Sequence, residues 1–191
     1  MNQPLWQPDA QQVAAANITA FMRRIETSGG PRLADYAALY QWSVEHPADF
    51  WTAVWDYCDI KAEHRGTRVL EHADRMPGAR WFPDAKLNYA ENLLRAAKQV
   101  PLGENDADPA IVFWGENQIK SKISFSELHD EVSRLAQALR AAGIKPGDRV
   151  AACMPNLPGT VVAMVAATSI GAVWSSCSPD FGVQGVLDRF G

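Results

Sequence analysis

The chain has 191 residues, 47% of them hydrophobic and 21% charged, with 18 Lys and Arg against 22 Asp and Glu and a formal net charge of −4. Disordered chains carry fewer apolar residues and more net charge, so this is a globular composition, and a fold of this length buries roughly 70% of the surface of its extended chain. A disulfide-stapled mini-protein is excluded, and a nucleic-acid partner is not expected, because phosphate neutralisation needs clustered Lys and Arg whereas the basic residues here are scattered among acids.

The N-terminus, Met1-Asn2-Gln3-Pro4-Leu5-Trp6, lacks the basic start and apolar run of a secretion signal. Val13, Ile18, Phe21, Met22 and Ile25 fall largely on one helical face, and Ser28-Gly29-Gly30-Pro31 ends the pattern. A second helical pattern runs from Tyr36 to Val44 and stops at Pro47. A third places Phe50, Trp51, Val54, Trp55 and Cys58 in a broad aromatic stripe that another surface has to cover. Between about 60 and 87 the chain reads as extended or irregular. The charged stretch there holds His64 and His72, which are assigned a solvated or surface-pairing role over a catalytic one. A fourth helix is predicted from Asn88, where Asn88 and Glu91 have the spacing of a capping box.

The proline-bracketed, acidic segment 101–109 reads as a linker, and the composition changes across it: six of the seven Trp lie at or before Trp114. Residues 110–114 are a short apolar run, 115–118 a turn and 119–123 an alternating strand, which together predict a hairpin. Ser124 and Glu127 form a capping box, and Leu128, Val132, Leu135, Leu139 and Ala142 recur at helical spacing up to Gly143. Residues 149–154 read as a buried strand. Asn156 is the expected cap of a helix over about 157–170 that is apolar nearly all round and therefore buried on both sides, and 172–177 is the next strand. This alternation predicts an α/β fold with right-handed βαβ crossovers and a parallel sheet. The longest apolar stretch, Val161 to Val173, is interrupted by Thr168 and Ser169 and is shorter than the ~20 residues that span a bilayer, so no membrane insertion is expected.

An α/β unit invites a nucleotide, yet no Gly-x-Gly-x-x-Gly, no Gly-Lys-Ser/Thr and no Gly-x-Ser-x-Gly occurs. Cys58, Cys153 and Cys177 cannot all pair within the chain and lack metal-knuckle spacing; they read as buried small hydrophobes in a reducing cytosol, Cys153 as core and not as a nucleophile. No metal site is expected. The one segment with ligand-facing character is Ser178-Pro179-Asp180-Phe181-Gly182, because ligands of open α/β sheets bind beyond the carboxyl ends of the strands. On spacing alone it is either a channel wall or a helix-leading loop in which Asp180 is a cap.

Three stretches carry a resemblance: Tyr36-x-x-Leu39-Tyr40-x-Trp42-Ser43-Val44-Glu45-x-Pro47-x-x-Phe50-Trp51, then Trp81-Phe82-Pro83-Asp84-Ala85-Lys86-Leu87-Asn88-Tyr89-Ala90-Glu91-Asn92-Leu93-Leu94, and Gly171-Ala172-Val173-Trp174-Ser175-Ser176-Cys177-Ser178-Pro179-Asp180-Phe181-Gly182. Together they resemble the N-terminal region of acyl-CoA synthetases of the adenylate-forming superfamily, and the third is similar to the branch that activates acetoacetate. The resemblance implies a mostly helical segment at 1–100, the linker at 101–109, and at 110–191 the first βαβ units of an AMP-binding α/β large domain, cut short inside a helix at Leu187–Gly191. It further implies an ATP-dependent, Mg²⁺-assisted ligase using CoA, cytoplasmic, with acetoacetate as substrate and acetate or propionate as the next choice. The loop Asp180, Phe181 and Gly182 would face CoA. The phosphate loop and catalytic Lys of the family have no counterpart here, so no catalytic residue is assigned, the 191-residue chain alone is expected to be inactive, and the missing remainder of the chain is its expected partner. The alternative is a non-catalytic interaction module that presents the Trp-rich surface.

Overall fold

A computed structural model describes residues 5–95, 109–116 and 119–191, and the chain divides into two compact units, Met1–Lys86 and Leu87–Gly191. The segment read as a linker lies outside the described residues except for Pro109, which opens a strand, and Asn117 and Gln118 of the expected hairpin turn lie outside them as well.

In the first unit, helix α1 (Ala10–Ala15) begins with a reciprocal cap: Asp9 Oδ1 accepts from the Gln12 N–H at 2.8 Å, and Gln12 Oε1 accepts from the Asp9 N–H at 2.9 Å. The spacing from Val13 to Ile25 predicts one helix, but Ala16 is extended (φ −66°, ψ 138°) and separates α1 from α2 (Asn17–Thr27). The Thr19 hydroxyl donates to the Val13 carbonyl at 2.6 Å, beside the longer bond of 3.3 Å that this carbonyl accepts from the Ala16 N–H at the end of α1. Helix α3 (Tyr36–Glu45) is capped by Asp35, and α4 (Pro47–Tyr57) starts on Pro47, whose missing N–H costs nothing in a first turn. Phe21, Ile25 and Leu39 form the buried core, with Met22, Leu33, Trp42, Phe50 and Val54 against it.

The irregular stretch after α4 is held by polar contacts. Strands β1 (Leu70–Glu71) and β2 (Arg80–Trp81) make a minimal antiparallel ladder, and His64 bridges Lys86 through the backbone. The Arg68 guanidinium joins Glu71 to Asp84, with Nε 2.9 Å from Asp84 Oδ2. These ties bring Trp81 to Trp51 (centroids 5.8 Å apart) and Phe82 to Trp55 (4.6 Å). The aromatic stripe is thus covered by its own unit, though Trp51 stays 43% exposed.

The second unit begins with α5 (Tyr89–Leu94), whose Asn88 cap accepts from the Glu91 N–H at 3.1 Å. Strands β3 (Pro109–Trp114) and β4 (Lys120–Ser124) form the expected hairpin. Ser124 then caps α6 (Phe125–Ala141), accepting from the Glu127 N–H at 3.2 Å while Glu127 Oε2 accepts from the Ser124 N–H at 2.9 Å. Leu128, Val132 and Ala136 bury the inner face of α6 against Val162, Val165 and Ala166 of α7 (Pro158–Ser169), and Ala90 and Leu94 join them. No residue from Thr160 to Ile170 is exposed, as an all-round apolar helix requires. The cap of α7 is Leu157, without a side-chain bond, and not Asn156.

Strands β5 (Arg149–Cys153) and β6 (Val173–Cys177) pair in parallel around α7 and give one βαβ unit. The β3–β4 hairpin stands as a separate sheet among the described residues, so the parallel sheet expected to run through it is limited to β5 and β6. Periodicity fixes the face of a strand that is apolar, not the strand it bonds. Strand β5 is also not buried throughout: Val150 and Ala152 turn inward, whereas Arg149, Ala151 and Cys153 are exposed. Cys153 and Cys58 are therefore exposed thiols, and Cys177 alone is buried, which corrects the reading of all three as core. A short 3₁₀ turn (Pro179–Phe181) and α8 (Gly182–Phe190) complete the unit. Among the described residues no helix is long and apolar enough to cross a membrane.

Candidate ligand-facing turn

The carboxyl ends of β5 and β6 are held level, because the Met154 N–H donates to the Cys177 carbonyl at 3.0 Å. The chain leaves β6 through Ser178, whose hydroxyl accepts from the Asp180 N–H at 3.3 Å and donates to Asp180 Oδ2 at 2.9 Å. The carboxylate is folded back on its own turn. It does not cap α8, which opens at Phe181 without a side-chain bond, so the cap role read for Asp180 falls to Ser178 on the 3₁₀ turn.

Two glycines shape the passage from this turn into α8. Gly182 has φ 64° and ψ 179°, a region open essentially to glycine alone, and this sets the angle between turn and helix. At Gly185 an added Cβ would lie 2.8 Å from Phe181 Cβ, so the missing side chain lets Phe181 lie along α8. Arg189, one turn further on, places its guanidinium 4.4 Å from the Phe181 ring centroid. Phe181 is nevertheless 50% exposed, and Asp180 and Gly182 are exposed beside it. The turn offers a carboxylate, a half-exposed ring and a guanidinium within one short segment, suited to contacting a polar ligand with an aromatic part. The sequence reading found Asp180, Phe181 and Gly182 but missed Arg189 and Gly185; the eight-residue spacing of Phe181 and Arg189, with a glycine midway, was the available signal.

The other candidates do not converge. His64 and His72 are exposed, and among the described residues no three His, Cys, Asp or Glu side chains come together to hold a metal ion. Elsewhere, the Arg68 guanidinium holds the Asp84 carboxyl below its ordinary range, and the Ser124 backbone N–H does the same for Glu127.

Residues 36–93 match the family of the acetyl-coenzyme A synthetase N-terminus, and residues 101–189 match the AMP-binding enzyme family. By these matches the chain is similar to AMP-binding enzymes. Within them it corresponds to the N-terminal portion of acetoacetyl-CoA synthetases: it is 50% identical over 188 residues to the acetoacetyl-coenzyme A synthetase of Rhizobium meliloti (strain 1021), covering 98% of this chain and 28% of that protein. The acetoacetyl-CoA synthetase of Xenopus tropicalis is 42% identical over 190 residues, covering 97% of this chain and 27% of that one. The solved acetoacetyl-CoA synthetase from Streptomyces lividans superposes with a TM-score of 0.88 at 46% identity over 99% of this chain and 28% of its own. The chain thus spans little more than a quarter of the length of the relatives it matches.

Proposed function

We propose that this chain is the N-terminal part of an ATP-dependent acid–CoA ligase that activates acetoacetate as an acyl-adenylate and passes the acyl group to CoA, giving acetoacetyl-CoA, AMP and pyrophosphate. The observation that carries this reading is the end-to-end match, in sequence and in backbone, to acetoacetyl-CoA synthetases. Use of ATP is implied by similarity to the AMP-binding family; CoA, Mg²⁺ and a cytoplasmic setting are part of the proposal.

In this reading residues 1–100 are a lead-in segment, 101–109 a linker and 110–191 the opening of the AMP-binding domain. The chain's own contribution is a scaffold and one wall of the CoA path. Asp180, Phe181 and Gly182 sit beyond the carboxyl ends of β5 and β6, where ligands of α/β sheets bind. Phe181 offers an apolar face to CoA and Arg189 a positive charge beside it, while phosphate binding and acyl transfer rest on sequence beyond these 191 residues. Purified chain given acetoacetate, ATP and CoA is expected to release no AMP and form no thioester; turnover would place the chemistry within these residues and overturn the assignment. In the complete enzyme acetoacetate is expected to outrun acetate and propionate, and the reverse order would move the substrate assignment to those acids.

A further inference from the structure

On the face of the β5–β6 sheet turned away from α7, Cys153 and Cys177 are register partners on adjacent parallel strands. Neighbouring strands lie about 4.8 Å apart, and opposed residues put their side chains on the same face. Disulfides join Cα atoms about 4.4–6.8 Å apart, a range that includes the spacing of adjacent strands. The Met154 N–H bond to the Cys177 carbonyl, 3.0 Å, fixes the register at this end of the sheet. Both thiols are free; Cys153 is exposed and Cys177 is buried.

We propose that Cys153 and Cys177 are a redox-responsive dithiol that closes to a disulfide on exposure to a peroxide, stapling the ends of β5 and β6 one residue before the Ser178–Gly182 turn. The exposed Cys153 thiolate attacks the peroxide oxygen: an S–O bond forms, the O–O bond breaks, and with one proton from solvent the peroxide leaves as water and a Cys153 sulfenic acid. The Cys177 sulfur then attacks Cys153 Sγ. The S–S bond forms, the S–O bond breaks, and water departs with the Cys177 proton, so two thiols lose two electrons and the peroxide gains them. Burial, with the Cys153 thiol beside it, pushes the Cys177 thiol above its ordinary range and keeps it protonated, which leaves the exposed Cys153 as the thiol that meets the oxidant.

The test needs only the 191-residue chain and hydrogen peroxide, and it is independent of the ligase reading because its readout is covalent. No Lys or Arg lies between Val150 and Asp188, so trypsin leaves both cysteines on one peptide ending at Arg189. After peroxide, and blocking with N-ethylmaleimide in urea, that peptide is expected without adducts and two hydrogens lighter, and to take two adducts if reduced first, with Cys58 alkylated throughout. Chains joined through Cys153, or Cys153 driven to the sulfinic acid with Cys177 still alkylated, would overturn the proposal. Cys153→Ser is an exposed change and is expected to leave Cys177 alkylatable after peroxide; loss of that alkylation would also overturn it. Closure in urea-unfolded chain is expected to be slower by on the order of tenfold, since proximity is supplied by the fold, and equal rates would sink the idea.

Discussion

The side-chain amide of Asn88 donates from Nδ2 to the Thr168 carbonyl at 3.0 Å, spanning 80 positions of sequence. The same amide reaches the Ser169 carbonyl at 3.3 Å, and its oxygen accepts from the Glu91 N–H at 3.1 Å. One residue therefore starts α5 and bonds two carbonyls at the end of α7, of which that of Thr168 also accepts from the Gly171 N–H at 3.0 Å.

This double role can be separated. Asn88→Ser keeps a good cap but is too short for the α7 carbonyls, whereas Asn88→Ala loses both functions and is expected to be less stable than the Ser variant by about 1 kcal/mol, the usual worth of a cap. Urea unfolding of the three chains measures the difference. If wild type and Asn88→Ser unfold together, the tie to α7 contributes nothing.

Ser124→Ala should cost about 1 kcal/mol as well, because Ser124 is the acceptor that opens the 17-residue helix α6. Loss of helical circular dichroism at lower urea than wild type is the expected sign; an unchanged midpoint would mean that packing of Leu128 and Val132 carries the helix start.

Acid should weaken the fold at two identified carboxylates. Asp84, held down first by its hydrogen bonds to Arg68, has an ordinary value of 3.8, and Glu127, held down first by the Ser124 N–H, one of 4.5. A depressed carboxylate stabilises fully above its unfolded value and loses that contribution as pH falls through the lower folded one. Stability is thus expected to be flat through neutrality and to fall below about pH 4.5. Arg68→Gln and Glu127→Gln should each flatten that fall. Identical acid slopes in both variants and wild type would refute the assignment.

At the turn, Gly182→Ala meets no neighbouring atom within 4 Å, so its cost is purely the backbone conformation, about 1–3 kcal/mol. Gly185→Ala sets a Cβ 2.8 Å from Phe181 Cβ, an atom fixed to the main chain, so the turn itself must shift and carry the ring with it, abolishing the ring-current shift that Phe181 imposes on Arg189 side-chain protons in NMR spectra. Retention of that shift would show that the ring does not rest on α8.

Phe181→Ala in the complete enzyme tests the CoA assignment. The KM for CoA is expected to rise on the order of tenfold with adenylate formation from ATP and acid unchanged. A variant slowed equally in both half-reactions would place Phe181 in general packing.

The residues that made the fold legible were those whose partners lie within a turn of themselves. Ser124 with Glu127, Asn88 with Glu91 and the Leu128–Val132 stripe all announce their elements, because capping and helical spacing are local properties. What stayed hidden depends on distant chain. The break at Ala16 leaves the apolar spacing of α1 and α2 in phase, so periodicity does not register it. Whether β4 bonds to β5, and which face Cys153 takes, are set by neighbours that alternation does not name. At the turn, Asp180, Phe181 and Gly182 drew notice as chemistry beyond a strand end, while Arg189 escaped it because its partnership needs Gly185 to be bare.

That bare position has a mechanical consequence. With its base against the bare Gly185 and the Arg189 guanidinium 4.4 Å from its ring, Phe181 is tied to α8 across the Gly182 turn, so a change at either position displaces the ring.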